Sequence, residues 1–432
     1  MNSVFDFIIY QILDQAPIFI GLIAMIGLIL QKKKPGVVIE GTIKTVVGLI
    51  TVSLGAGILL NSIEPIMGVL NQSVSVEGVL PVNEAAWSVA MESMANTVTI
   101  TFVLGFLIHL ALVYIIPFKS FKNVYLTAHM MLFMAAFSDI TLNQIFKLEG
   151  TPLIIAAAIM SALYWTLTPA VTRVLGKDFT GDDMTLGFAA QISAFFASMI
   201  GKYLGDPKED AENIKLPKYL SMFRDTTISL AILMPIMFII IGLVVGGDAV
   251  STISGSQNWV IYLIIQGLTF TAGIVMLLSG VRLFIANIVS AFKGISNKII
   301  PGAVPALDGP AIFPYSPTGA MIGFIGSIIG ALLSLGLMIL VKSPIVVFPS
   351  IIIMFFDGSV VGVFGNKYGG WKGALFSGII CSFVAHLGCI YIYPLLGPIY
   401  GSGLMFSNTD FAFLWVPVLF ILKLIAGLFG IA

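Results

Sequence analysis

The sequence predicts an all-α protein that crosses a membrane many times. Hydrophobic residues make up 58% of the 432 residues and charged residues only 10%, and the mean hydropathy is +1.05. About eleven stretches approach the roughly 20 apolar residues that a membrane-spanning helix needs. We therefore expect about 10 to 11 transmembrane helices, and these account for most of the chain.

The positions of lysine and arginine predict the orientation of the helices, because cytoplasmic loops collect basic residues. Lys32 and Lys34 follow the first apolar run, which places the N-terminus outside, whereas the stretch 64–84 has acidic residues and no basic ones. Asp6 and Asp14 stand where a signal peptide would be basic. The predicted full spans are about 16–31, 43–63, 98–117, 124–145, 151–171, 227–247, 259–280, 318–340, 345–365, 374–396 and 411–431.

Two apolar pieces, 184–200 and 300–317, are short or interrupted by helix breakers. The first has cytoplasmic-type charge on both flanks, so we expect a re-entrant hairpin, which must lie beside protein or a water-filled cavity. One interrupted element in each half is typical of inverted repeats with a binding site between them. Within one membrane-embedded domain, the halves are predicted at 1–205 and 226–432, joined by a cytoplasmic connection at 206–225.

Asp308 is the first candidate for a binding residue, because it lies among prolines and glycines within an apolar stretch. A carboxylate at membrane depth costs roughly 2.5 to 3.5 kcal/mol and is kept mainly where a cavity, substrate or partner uses it. His129, early in a span, is the second candidate. Its structural alternative is a hydrogen bond that joins packed helices.

Six further residues are candidates for substrate contacts, each with a structural alternative. Glu92 and Asn96 lie one helical turn apart and share a face, and Trp87 would complete a pocket with them. Asp357 lies at a glycine break and is equally well explained as a helix cap. The remaining two candidates are Gln191, on the re-entrant piece, and Asn366, just before a Lys-Tyr-Gly-Gly-Trp run.

Other polar residues in the apolar runs are given structural roles. His109 and His386 are expected to form hydrogen bonds between helices, and Asp139 is expected at the outer membrane interface. Cys381 and Cys389 lack metal-ligand or redox spacing and are expected to be free thiols. The sequence has no metal or nucleotide motif, so no cofactor is predicted. Equal totals of 21 basic and 21 acidic residues argue against a nucleic-acid partner.

Five segments, taken in order along the chain, carry a resemblance to a known family: Glu40–Thr45, Gly55–Leu59, Leu216–Asp225, Phe292–Val304 and Met354–Trp371. They resemble the ascorbate-type enzyme IIC, the membrane carrier subunit of the bacterial phosphotransferase system. The resemblance implies a homodimer in the bacterial inner membrane, with a scaffold and a substrate-binding core that moves like an elevator. It also implies separate IIA and IIB proteins, of which IIB phosphorylates the delivered substrate.

The chain departs from the family's pattern at positions that bear on the substrate. Family members have a histidine followed by two glutamines four positions on, but here His129 is followed by Phe133 and Met134. The family's Gly-His-Gln-Gln-Gln on the re-entrant piece reads Gly187-Phe-Ala-Ala-Gln191, whereas Asp308 matches the family's aspartate. Each hydroxyl left without a partner costs roughly 1 to 3 kcal/mol. These departures disfavour ascorbate itself and favour a related sugar-like substrate.

The sequence thus predicts a carrier subunit that imports ascorbate or a related sugar acid or polyol. Asp308 and His129 would hydrogen-bond the substrate hydroxyls. The chain has no evident phosphorylation site, so whether it counts as an enzyme stays open, and the IIA and IIB functions must come from other chains. The alternative is an ion-coupled secondary transporter of a small polar solute, in which one of these two residues relays a proton. An intramembrane enzyme lacks a convincing pair of nucleophile and base.

Overall fold

The computed structural model describes residues 16–74, 77–182, 184–214, 226–300 and 303–431. The helices are α1 (Ala16–Leu30), α2 (Pro35–Val74), α3 (Asn83–Ile115), α4 (Ala128–Phe146), α5 (Gly150–Thr180), α6 (Gln191–Leu204), α7 (Thr226–Val245), α8 (Gly247–Ser254), α9 (Trp259–Ile299), α10 (Pro317–Leu340), α11 (Ile351–Ile392) and α12 (Val416–Leu428). The strands are β1 (Glu77–Pro81), β2 (Asn123–Tyr125), β3 (Thr185–Leu186), β4 (Val304–Leu307), β5 (Ile345–Val347) and β6 (Leu404–Met405).

These elements confirm the predicted all-α membrane class. Among the described residues, six helices are long and apolar enough to cross a membrane, or up to seven if the bent pair formed by α7 and α8 counts as one span. Several helices are longer than the predicted spans. The helix α2 continues to Val74, so the first part of the predicted external stretch 64–84 is helical.

Two predicted spans, 345–365 and 374–396, form the single element α11, which is broken at Gly369 and Gly370. Gly370 has a φ of 61°, a value that favours glycine. A Cβ atom there would lie 2.4 Å from the carbonyl oxygen of Asp206. The break therefore requires glycine, both for its backbone angle and for the chain that packs against it.

The order of elements repeats along the chain. The series β1–α3–β2–α4–α5–β3–α6 recurs after α7–α9 as β4–α10–β5–α11–β6–α12. In the second series the broken helix α11 takes the place of α4 and α5. Each series follows a long helix, of 40 residues in α2 and 41 residues in α9. The predicted repeats are thus visible in the order of elements, although they are not legible as sequence identity.

The short strands form two parallel sheets, and each sheet combines strands from both repeats. In one sheet β1 lies between β5 and β6, with Val79 opposite Val347 and Leu80 opposite Leu404. In the other, β4 lies between β2 and β3, and Ala306 faces both neighbours. If each strand is replaced by its counterpart in the other repeat, the order β5–β1–β6 becomes β2–β4–β3. Two repeats related by a twofold axis would give this result. Strand pairing also satisfies non-helical backbone within the protein.

The helices pack in two groups. In the first bundle, α9 packs along α2 and α7, with α1 and α8 beside them. In the second bundle, which comprises α3–α6 and α10–α12, α11 packs along α10 and α6. An apolar cleft of about 610 Å³ lies between α7 of the first bundle and α10 of the second. The cleft shows that the bundles are not closely packed along this line.

Isolated polar residues show how the second bundle is held together. Asp139 is fully buried and accepts a hydrogen bond from Thr101 of α3 at 2.9 Å, so its side chain does not reach the surface of the protein. His109 joins helices as predicted, because its ring bonds the Thr166 hydroxyl of α5 at 2.8 Å. His386 instead bonds a carbonyl oxygen of its own helix, at 2.8 Å. Each of these groups gains a partner that lipid would not supply.

Candidate functional site

Asp308 lies just after strand β4, where the chain turns into the 3₁₀ segment Gly309–Tyr315. Its carboxylate accepts a hydrogen bond from the backbone N–H of Gly309 at 2.8 Å. The side chain is nevertheless 42% exposed, so it keeps acceptor capacity for another donor. Because β4 is the central strand of its sheet, the carboxylate is held where the two repeats meet.

His129 faces Asp308 from the first turn of α4. The distance from His129 Nε2 to Asp308 Oδ2 is 3.8 Å, which is too long for a hydrogen bond. His129 is buried, and its Nδ1 has no hydrogen-bond partner within the described part of the chain. A buried polar atom without a partner costs roughly 1 to 3 kcal/mol. The His129 ring therefore has hydrogen-bonding capacity that the described residues do not use.

Trp87 extends this cluster from the start of α3. It is buried, and its indole N–H has no acceptor among the described residues. The Trp87 ring lies 6.4 Å from the ring of Phe133, which in turn lies 5.8 Å from the ring of His129. Phe133 is one of the two positions at which the resemblance led us to expect glutamine. The polar groups of Trp87 and His129 thus lie on rings that both neighbour the aromatic ring of Phe133.

Phe188, on the re-entrant segment, closes another side of the site. A Cβ atom added to Gly309 would lie 3.4 Å from the Phe188 ring, so this ring packs directly beside the turn that follows Asp308. The backbone N–H of Gly187 donates to the carbonyl of Leu307 at 2.6 Å, which extends the pairing of β3 with β4. The sheet therefore holds a second phenylalanine, Phe188, beside the turn that follows Asp308.

Three residues that sequence reasoning missed are also buried around this site: Glu84, Tyr125 and Thr127. Glu84 and Tyr125 both interact electrostatically with Asp308. Glu84 closely follows β1 as Asp308 follows β4, so each repeat contributes an acid after its central strand. The hydroxyls of Tyr125 and Thr127 have no hydrogen-bond partner in the described ranges. Glu84 opens a long apolar run, and that helix-start signal would have revealed it.

Two predicted contact residues of the first repeat have other surroundings. Glu92 is exposed on α3 whereas Trp87 is buried, so these two side chains lie on different faces of the helix. Gln191 is fully buried. Its amide nitrogen donates to the carbonyl of Leu186 at 2.6 Å, and its amide oxygen accepts from the hydroxyl of Thr168. Both polar ends of Gln191 are therefore used within the protein.

Two predicted residues of the second repeat are also bound by protein groups. Asp357 is buried and accepts hydrogen bonds from the Asn408 amide at 2.7 Å and from the Thr409 hydroxyl at 2.9 Å. It also accepts from the Thr409 backbone N–H, which is the geometry of a cap. Asn366 donates to Asp210 at 2.6 Å, in the segment that follows α6.

Asp410 is a buried acid that the sequence analysis did not single out. Its carboxylate accepts hydrogen bonds from the backbone N–H groups of Gln191, Ile192 and Ser193 at 2.9 to 3.0 Å, and from the Tyr164 hydroxyl at 2.9 Å. It therefore caps the re-entrant helix α6, whose N-terminus carries partial positive charge. The Asn-Thr-Asp run before an apolar stretch indicates a cap of the helix that follows it, and so does not reveal that Asp410 caps α6.

Comparison with known proteins extends over the same elements. The sequence matches the family described as PTS system sugar-specific permease component (EIIC-GAT) over residues 11–412. It is also 27% identical, over an alignment of 413 residues, to the ascorbate-specific PTS system EIIC component of Mycoplasma pneumoniae. That alignment covers 84% of this chain and 62% of the relative, so the chain spans less than two thirds of the relative's length. Because the family match covers most of the chain, including the site around Asp308, the chain belongs to the family of PTS sugar-specific permease components.

Proposed function

We propose that this chain is the carrier subunit, enzyme IIC, of a phosphotransferase system in a bacterial inner membrane. It imports a small polyhydroxylated substrate, ascorbate or a related sugar acid or polyol, for phosphorylation by separate IIA and IIB proteins. Family membership supports this reaction class. The observation that carries the proposal for the site is a cluster of buried polar atoms around Asp308 that have no partner within the described ranges of the chain: Trp87 Nε1, His129 Nδ1, Tyr125 Oη and Thr127 Oγ1.

The chemistry of each group suits a ligand rich in hydroxyls. The Asp308 carboxylate accepts hydrogen bonds, the Trp87 indole donates one, and a neutral His129 ring can do either. The rings of Phe133 and Phe188 offer apolar faces where the family's pattern has polar side chains. Unpaired hydroxyls on the ligand would lose affinity there. We therefore favour a substrate with fewer hydroxyls than ascorbate, or with an apolar edge.

The two bundles suggest how such a carrier works. We assign the first bundle to the scaffold and the homodimer interface, and the second bundle, which holds Asp308, to the core that carries the substrate across. The apolar cleft between α7 and α10 supports this division, because loosely packed groups of helices can shift relative to one another. In this scheme Gln191, Asp357 and Asn366 fix the walls of the core around the site.

Uptake into membrane vesicles separates the proposed carrier from the ion-coupled alternative. Vesicles that contain this chain should accumulate phosphorylated substrate only when phosphoenolpyruvate and the IIA and IIB proteins are supplied. Dissipating the proton gradient should leave that uptake unchanged. Uptake of unmodified substrate that follows the proton gradient would instead support the secondary transporter and overturn our proposal.

The substitution Asp308→Asn tests the site itself. It keeps the shape of the side chain but removes its charge and one acceptor, so substrate affinity should fall at least about tenfold, or about 1.4 kcal/mol. A thermal-shift screen against sugars, polyols and sugar acids would first identify the ligand, and calorimetry would then measure its affinity. Asp248→Asn, at an exposed acid of α8 in the first bundle, is the matched control. Unchanged affinity in Asp308→Asn would show that Asp308 does not bind substrate.

A further inference from the structure

A short acidic segment follows the re-entrant helix α6 and lies against the second bundle. We call Asp206–Glu212 the acidic strap. One end is held at the break in α11, where the backbone N–H of Trp371 donates to the carbonyl of Glu209 at 2.9 Å and Lys372 forms an ion pair with the Glu209 carboxylate at 3.0 Å. The strap is thus attached to the core bundle through both backbone and side chains.

Glu212 binds the start of α10. Its Oε1 accepts hydrogen bonds from the Ser316 hydroxyl at 2.8 Å, the Thr318 backbone N–H at 2.9 Å and the Gly319 backbone N–H at 3.1 Å. Ser316 precedes the helix and forms no side-chain cap of its own. A negative charge at a helix N-terminus is stabilising. Glu212 therefore caps α10 from a position 104 residues away from Ser316.

Asn366 of α11 locks this contact in place. Its amide nitrogen donates to Ser316 Oγ at 2.9 Å and to Asp210 Oδ1 at 2.6 Å. Its amide oxygen accepts from the backbone N–H of Ala211 at 2.8 Å. Ala211 is fully buried in a small apolar cluster with Ala374. These contacts make the strap a packed part of the core bundle.

The capped residue leads directly to the candidate site. The 3₁₀ segment Gly309–Tyr315 connects Asp308 to Ser316, so its two ends are fixed by β4 and by Glu212. Prolines at 310 and 314 limit its backbone freedom further. The acidic strap is also where the chain leaves for the first bundle, because residues 215–225 lead on to α7. Glu212 is thus linked to Asp308 through Ser316 and the short segment Gly309–Tyr315.

We propose that Glu212 is a positioning residue, which holds Gly309–Tyr315 in the conformation that binds substrate. This inference rests on the proposed function for its effect on affinity. Without the Glu212 carboxylate, two backbone N–H groups and one hydroxyl lose their acceptor. The Ser316 end of the turn would then keep only the hydrogen bond from Asn366 as a side-chain anchor, and the carboxylate of Asp308 would be held less firmly.

The test compares Glu212→Ala with Glu212→Gln, because glutamine keeps an oxygen that can accept the same hydrogen bonds. We expect Glu212→Ala to weaken substrate binding at least about tenfold and Glu212→Gln to stay within about threefold. Hydrogen exchange should accelerate in peptides covering residues 309–319 in the alanine variant only. Glu209→Gln is the matched control, because it removes a half-exposed ion pair of the same strap without touching α10.

Each outcome decides the inference. Wild-type affinity in Glu212→Ala, or an equal loss in the alanine and glutamine variants, would overturn it. If Glu212→Ala does not assemble in the membrane, Ser316→Ala carries the test, because it removes one donor and should give a smaller loss of affinity with faster exchange at 309–319. If the wild-type protein binds no sugar, the proposed function fails. In that case hydrogen exchange at residues 309–319 still tests whether Glu212 anchors this segment. Rates in Glu212→Ala equal to those of the wild type would refute the anchoring.

Discussion

Helix starts within the second bundle differ in what their polar groups bind. The start of α6 is capped by Asp410 and the start of α10 by Glu212, and Asp357 caps the turn that leads into α12. At the start of α4, by contrast, the Thr127 hydroxyl and His129 Nδ1 have no partner among the described residues. Of these four starts, three are closed by carboxylates of the protein, and the start of α4 is open.

This difference separates structural acids from a binding site. Helix N-termini carry partial positive charge and free N–H groups, and membrane depth offers no water to bind them. A start that is already capped has no further need of a ligand. The start of α4 lies beside Asp308, with His129 Nε2 at 3.8 Å from that partly exposed carboxylate. Binding is therefore expected at the open start, and stability is expected to depend on the closed ones.

Asp410→Ala should have the largest effect, and on stability. The change would leave three backbone N–H groups of α6 and the Tyr164 hydroxyl without their acceptor. Each buried donor left without an acceptor costs about 1 to 3 kcal/mol, so the total loss should be at least about 3 kcal/mol. Urea or thermal unfolding in detergent would measure the loss, with Asp308→Asn as the control that changes unfolding by less than about 0.5 kcal/mol. Equal stability of the two variants would break the distinction between closed and open starts.

Hydropathy and helix breakers were sufficient to predict much of the fold and the principal candidate residue. Apolar runs located the spans, and the prolines and glycines around Asp308 marked the interrupted segment before β4 and its turn were known. The pairing of strands was not predictable, because strands as short as Leu404–Met405 have no distinct pattern, and their partners lie in the other repeat.

The roles of the buried acids were harder to predict for the same reason. Asp410 accepts a hydrogen bond from Gln191, which lies 219 positions away. Glu212 accepts one from Ser316, which lies 104 positions away. No local pattern records such partners. Asp357 and Asp308 both lie beside glycine, and their sequences do not tell a capping acid from a binding one. Only the burial of Asp357 and its bonds to Thr409 make that distinction.

A second prediction concerns substrate choice at the open start. The double substitution Phe133→Gln and Phe188→His restores polar groups at two walls of the site. Each new hydrogen bond to a ligand hydroxyl is worth about 0.5 to 1.5 kcal/mol, so ascorbate affinity relative to the native ligand should rise by up to about tenfold. Calorimetry would measure both ligands, with Phe195→Gln, at a partly exposed position of α6, as the control. Micromolar or tighter ascorbate binding by the unmodified protein would contradict this prediction.

The smallest effect is expected from Asp182, an acid outside the membrane-spanning helices. Hydrogen bonds from Arg173, with Nε at 2.6 Å, and from Lys119, at 2.8 Å, hold the pKa of the Asp182 carboxyl well below its usual range. A lowered pKa in the folded protein adds stability above the unfolded pKa of about 3.9, and this stability is lost as the pH falls further. Asp182→Asn should therefore cost the same amount at pH 5 and at pH 8, at most about 1 kcal/mol, because the pair lies partly in solvent. Asparagine also tolerates the φ of 61° at this position.

Thermal unfolding at pH 5, 6.5 and 8 would measure the cost of Asp182→Asn. A cost that changes across this range would show that the Asp182 carboxyl titrates there and is not held by its two cations.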